Sequence, residues 1–256
     1  MDLQRIAYSV SGQIAHITLD APESMNAIDP LMAAELVTTL QEAADDAQVR
    51  VVLLSGAGRA FCAGGDIASF ESGVDMTQLS ADLARSALLL RTMPKPVVAS
   101  VHRAAAGAGM ALALLADFCI AAEDTRFATA FVRLGLVSDT GLGFVLTRTL
   151  GHVRAADLLM TGRTLSANQA LDLGLITEVV PVDSLSRATV DFIGGLVAGP
   201  AGAFAGIKEQ IRACQFEGFT EYLGLETRLQ AERAASPDFT EGLTAFREKR
   251  PPNFTG

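Results

Sequence analysis

The chain has 256 residues, half of them hydrophobic, enough for a sizeable core in one large domain or one domain with an appendage. A formal charge of −9 and a sequence pI near 4.8 argue against a nucleic-acid partner, although a local basic pocket on an acidic protein still accepts a small anion. Three cysteines (Cys62, Cys119, Cys214) without a CxxC suggest neither a disulfide framework nor a zinc site, which fits a reducing cytoplasm; no signal-type apolar core opens the chain, and the longest apolar run, 104–116, falls short of the roughly 20 residues of a membrane span.

Residues 5–10 (RIAYSV) and 13–19 (QIAHITL) alternate around Ser11-Gly12, which predicts a hairpin. Helical spacing over 30–46 predicts a helix with Asp29 as N-cap and Pro30 at its first position. A buried strand over 49–55 (VRVVLLS) runs into a glycine-rich loop, GAGRAFCAGGDI, at 56–67. An amphipathic helix over 82–92 is broken by Pro94 and Pro96. A short strand at 97–101 (VVASV) leads through AAAGAGMALALLA, 104–116, into an apolar helix. Residues 117–121 (DFCIA) read as a strand, and 141–150 and 152–160 as helices parted at Gly151. After Val182 the strand signal fades, and 184–249 reads as successive helices with breaks near Gly199-Pro200, Gly218 and Ser236-Pro237. Alternating short strands and helices predict an α/β layered core. The amphipathic stretch 222–234 (YLGLETRLQAERA) suits packing on that core or on a neighbouring subunit.

Two loops carry chemical interest. Ala63-Gly64-Gly65 lets backbone N–H groups approach a ligand unobstructed, and the apolar helix after Gly107 offers the unsatisfied donors and positive dipole end of a helix N-terminus. Two converging N–H groups could hold a developing oxyanion; a pair of tight strand-to-helix turns is the alternative. A nucleotide site is weaker, because GAGMAL lacks the third glycine of GxGxxG and no Walker A lysine occurs. Asp139, in LVSDTG before an apolar helical run, is either a reactive acid or an N-cap.

In order along the chain stand NAI (26–28), AFCAGGDI (60–67), KPVVASVHRAAAGAGMAL (95–112), ADFCIAAEDTRF (116–127), LGLVSDTG (134–141) and LMTGRTLSANQALDLGLI (159–176). With these segments the sequence resembles the enoyl-CoA hydratase/isomerase, or crotonase, family over nearly its whole length. The resemblance implies a spiral of ββα units over 1–195 holding an acyl-CoA site, and a helical oligomerisation region over 196–256 that builds trimers, often paired as hexamers. It implies an acyl-CoA thioester substrate, with coenzyme A as part of that substrate, no separate cofactor and no metal.

The resemblance also assigns roles. The N–H groups of Ala63 and Ala108 would stabilise the enolate of the thioester; the second position is usually glycine, and His102-Arg103 stands where the family has Asn-Gly. Asn26, Ala27, Ala63, Gly64, Gly65, Asp66 and Ile67 would line the coenzyme A path, with Phe131 also at the substrate. Lys249, from a neighbouring subunit, would meet the phosphates; Arg59, Lys95, Lys208 and Arg250 are the other available cations. The two glutamates that family hydratases use to add water fall on Ala111 and Phe131, so hydration by that route is not expected. Asp139 matches an acid found in members that shift double bonds or rearrange a ring-epoxide thioester, and a nucleophile in the aroyl-CoA dehalogenase branch; Ser138 replaces the usual proline.

The expected reaction is a 3-enoyl to 2-enoyl-CoA isomerisation, Asp139 moving the proton from C2 to C4, or the rearrangement of a related thioester through an oxyanion-stabilised enolate with Asp139 as acid/base, its pKa raised by burial beside Phe131 and Phe144. The alternatives are a hydrolase or dehalogenase with Asp139 as nucleophile, an enoyl-CoA hydratase in name only, and a catalytically silent acyl-CoA-binding protein. His16, His102 and His152 share no metal-ligand spacing and read as structural, Cys62 as a packed small residue, Asp66 as loop-shaping or ligand-path, and Glu71, Asp75 and Asp82 as solvated surface.

Overall fold

A computed structural model describes residues 2–255. The first hairpin follows its alternation: β1 (Ile6–Ser11) pairs antiparallel with β2 (Ile14–Leu19), which buries Ala15, Ile17 and Leu19. Helix α1 (Pro30–Asp45) starts at its expected cap, the Asp29 carboxylate accepting the Met32 N–H at 2.7 Å. Its inner face is Met32, Ala33, Leu36, Leu40 and Ala43. The buried Glu35 on the same helix accepts the N–H groups of Gln4, Arg5 and Ile6 and so fastens the N-terminal strand.

The winding continues through β3 (Val51–Gly56), α2 (Ile67–Glu71), α3 (Met76–Thr92), β4 (Val97–Val101), β5 (Ala104–Ala106), α4 (Ala108–Leu115), β6 (Phe118–Ala122) and β7 (Arg126–Ala128). After α5 (Leu142–Leu150) and α6 (His152–Thr161) come β8 (Thr164–Ser166), α7 (Ala167–Asp172) and β9 (Glu178–Val180). The chain ends in α8 (Leu185–Ala198), α9 (Ala201–Gln215), α10 (Phe219–Ala234) and α11 (Pro237–Glu248), separated at the three predicted breaks.

One six-stranded sheet has the order β1-β2-β3-β4-β6-β9, parallel from β2 onward, and a three-stranded sheet has the order β5-β7-β8. Crossovers through helices make the parallel pairs possible and cover the strands, which explains the unbroken apolar runs in β3 and β4. Helix α3 begins six residues before its apolar stripe suggests, because Asp75 caps it by accepting the N–H groups of Thr77 and Gln78. Asp75 is thus a cap rather than plain solvated surface.

Helix α9 is pinned to the core by a buried ion cluster. Asp117 meets Arg91 at 3.0 Å and Lys208 at 2.7 Å, while Lys208 Nζ also donates to the Lys95 carbonyl. Burial pulls the Lys208 pKa down to about 8, partly offset by Asp117. Among the described residues no single helix is long and apolar enough to cross a membrane.

Candidate active site

A cavity of about 620 Å³ opens where the loop after β3, the start of α4, the segment 130–139 and the C-terminal helices converge. Its walls include Ala27, Ala63, Gly64, Gly65, Asp66, Ile67, Ala108, Phe131 and Asp139, residues that the sequence places far apart. Helix α11 closes one side of it: Gly242 lies so near the backbone of Leu134 that any side chain there would collide.

The backbone donors divide clearly. The Ala63 N–H is already committed, donating to the Met25 carbonyl at 3.0 Å, so the expected oxyanion role does not suit it. Gly65, two residues on, also lines the cavity, and its N–H meets no acceptor among the described residues. Ala108 is the first residue of α4, behind Gly107, and its N–H is likewise unpaired among the described residues. Gly107 has φ +51° and ψ −123°, a conformation that only glycine adopts freely, and this turn presents Ala108 to the cavity. The His102-Arg103 departure is absorbed locally: Arg103 takes φ +60°, a left-handed conformation in which it meets Asp124 at 3.5 Å, and His102 bonds the Gly58 carbonyl at 3.1 Å. His102 is not among the cavity-lining residues.

Asn26 is a staple rather than a lining residue. It is fully buried; its Oδ1 accepts the Ala21 N–H, and its Nδ2 donates to the carbonyls of Ala57, Ala60 and Phe61. It thereby shapes the loop that puts Ala27 on the wall. Asp66 caps α2 by accepting the Ser69 N–H and hydroxyl, which ties its carboxylate down. Cys62 is packed against Gly109, and burial pushes its thiol up to about 12, so no thiolate is available near neutrality.

Of the proposed phosphate cations, Lys208 is spent in the ion cluster, and Lys95 donates to the carbonyls of Ala43 and Asp46. Lys249 is exposed at the end of α11 and does not line this chain's cavity. Its neighbour Arg250 does, held by Glu241 at 2.6 Å, as does Arg133.

Asp139 is 7% exposed and does not cap α5. Its Oδ1 accepts the Thr140 hydroxyl at 2.8 Å and its Oδ2 accepts Gln230 Nε2 at 3.1 Å. Burial pushes its pKa up to about 6, against the opposing pull of those two bonds. Phe131 supplies part of the apolar wall; Phe144 does not line the cavity and packs with Phe216, Phe219 and Tyr222. Thr140 is held at φ +57°, unfavourable for a β-branched residue, and in that conformation its hydroxyl reaches Asp139.

The cap that Asp139 leaves vacant comes from another helix. Glu226, on α10 and 4% exposed, accepts the Gly141 N–H at 2.7 Å and the Ser138 hydroxyl at 3.4 Å, with a further bond from the Gly143 N–H. Gly143 has no room for a side chain, because the Tyr222 hydroxyl and Ser138 Oγ press on it. Burial and the nearby Asp139 push the Glu226 pKa up to about 8, while the Gly141 and Gly143 bonds pull the other way. Glu226 and Gln230 escape a reading of the sequence for functional residues. Their signal is the buried stripe Phe219-Leu223-Glu226-Gln230, apolar in its first half and polar in its second. Groups of His, Cys, Asp and Glu able to hold a metal ion are absent among the described residues.

A spiral of parallel strands and helices beside this cavity, with N–H groups on its wall that are unpaired among the described residues, defines an enzyme of the crotonase fold. A family model described as enoyl-CoA hydratase/isomerase matches residues 9–256. The chain is 37% identical to a trans-2-decenoyl-[acyl-carrier-protein] isomerase of Streptococcus mutans and 40% identical to a probable enoyl-CoA hydratase of Rhodobacter capsulatus, each over 100% of both chains. It is 36% identical to the 1,2-epoxyphenylacetyl-CoA isomerase of Escherichia coli over 99% of both chains. A crystal structure of an enoyl-CoA hydratase from Mycobacterium avium subsp. paratuberculosis superposes with a TM-score of 0.93 at 32% identity, covering 99% of this chain and 100% of that one. The chain belongs to the enoyl-CoA hydratase/isomerase family.

Proposed function

We propose that this enzyme shifts the double bond of a 3-enoyl-CoA to give the 2-enoyl-CoA, with Asp139 as the only proton carrier. The observation that carries the reading is a buried carboxylate on the cavity wall, free of any capping duty, whose pKa lies near 6. Such an acid is mostly ionised at neutral pH, yet close enough to its pKa to hold a proton for return. Asp139 takes a proton from C2, the electron pair spreads onto the thioester oxygen, and the same proton is delivered to C4. The N–H groups of Gly65 and Ala108 receive the developing negative charge. Ala111 and Phe131, at the positions of the two hydratase glutamates, cannot carry a proton. Two relatives named as isomerases support the choice, while a third is named a probable hydratase.

The test is direct. Purified enzyme mixed with a 3-enoyl-CoA should give rising absorbance of the conjugated thioester, and mixed with a 2-enoyl-CoA should give no hydrated product at a comparable rate. Faster hydration than isomerisation would overturn the reading.

The assembly we propose is a trimer, alone or doubled. Ile207 and Ile211 of α9 are exposed beside a second cavity of about 470 Å³, an apolar surface suited to a second copy. Lys249 would then serve a neighbour's coenzyme A. Light scattering should return three or six times the 26.8 kDa chain mass, and a monomer would contradict the proposal.

A further inference from the structure

Gln230 is 1% exposed and reaches Asp139 with one end of its amide only. Its Nε2 donates to the carboxylate, whereas its Oε1 is buried with no hydrogen-bond partner among the described residues. Buried polar atoms are nearly always paired, so this orphan asks for an explanation. An amide carries a donor and an acceptor on one planar group, and half a turn exchanges them. Where both ends are bonded, such a turn breaks the second bond. Here the far end has nothing to break.

A proton carrier exists in two forms with opposite needs. The carboxylate accepts hydrogen bonds; the carboxylic acid also has one to give. A cation or a helix N–H beside Asp139 would serve the first form and oppose the second. Its two side-chain partners are instead a hydroxyl and an amide, and each can both donate and accept. We propose that Gln230 is a positioning residue for the proton transfer, its amide donating to Asp139 when the acid is ionised and turning to accept from it when the acid is protonated. The side chain of Asp139 then keeps one orientation through both halves of the reaction. The inference rests on Asp139 as the proton carrier.

Apart from Tyr222, the other polar groups around Asp139 have partners of their own. Thr140, on its own loop, serves Oδ1. Glu226, one turn earlier on α10, is bonded to the Gly141 N–H, with Tyr222 a further turn back. On the cavity wall Arg133 donates to the Gly162 carbonyl, Arg250 is paired with Glu241, and Asp66 is bonded to Ser69. Of the buried side-chain atoms in this group, Gln230 Oε1 is the one left without a partner among the described residues.

Gln230→Met keeps length and approximate volume and removes both functions. With a 3-enoyl-CoA, plateau kcat should fall about tenfold with KM within about twofold, and the acid limb of kcat/KM should rise by about one pH unit, because the bond lost by the ionised form is stronger than the bond lost by the protonated form. Titration of the Asp139 carboxyl by carbon-13 NMR should show the same rise whether or not any thioester turns over. That readout separates failure of the inference from failure of the isomerase reading. A raised limb with plateau kcat at or above the parent's would make Gln230 a simple donor and overturn the proposal, as would an unmoved carboxyl titration.

Discussion

Asp139→Asn should lower kcat for double-bond migration by about 10²–10⁴ and leave KM within a few-fold. Asparagine keeps the shape and can still meet Thr140 and Gln230, but it cannot carry the proton. The same variant should be the more stable protein at neutral pH. Burial raises the Asp139 pKa from 3.8 to about 6, so the folded state holds its proton more tightly than the unfolded chain does. For an acid with a raised pKa, stability is greatest below pH 3.8 and is lost as pH climbs towards 6. Above that window the ionised side chain destabilises the fold by roughly 3 kcal/mol, which asparagine relieves. Urea unfolding at pH 4 and pH 7.5 should show parent and variant diverging only at the higher pH. Parent kcat/KM should fall below pH about 6 for the same reason. Full activity in the variant removes Asp139 from the mechanism.

Glu226→Ala should destabilise the protein by about 2–4 kcal/mol and reduce kcat along with it. The Gly141 and Gly143 N–H groups would be buried without an acceptor, and the turn that aims Asp139 would lose its external tie. Glu226→Gln keeps an acceptor oxygen on Gly141, so its stability at pH 4, where the parent carboxyl is protonated, should stay within about 1 kcal/mol of the parent. The pH dependence gives a second check. The pKa of Glu226 is raised from 4.5 to about 8, so the parent loses stability across that interval, whereas the glutamine variant keeps only the loss due to Asp139, which is complete by about pH 6. If alanine and glutamine behave alike in thermal unfolding, Glu226 is not the cap described here.

Legibility in the sequence followed the range of the interactions involved. The hairpin, the Asp29 cap and the breaks between the C-terminal helices rest on local chemistry, and each stands where the residues place it. Strands β5, β7, β8 and β9 are three residues each, too short for any alternation to register. In the Ala63-Gly64-Gly65 loop the sequence shows that backbone can approach a ligand, but not which N–H is free. That is decided by Met25, nearly forty positions upstream, whose carbonyl takes the Ala63 donor. Asp139 could be singled out by its setting but not separated from an N-cap, because the deciding residue, Glu226, lies 85 positions away from Gly141.

Glu226 and Gln230 stand four apart on one helix, so cap and amide ride on a single rigid rail. An α-helix turns about 100° per residue, and one residue added or lost between them would swing the amide off the acid while the cap stayed seated. The interval between the two behaves as a gauge length, conveying any slide or roll of α10 to both supports of the reacting group at once.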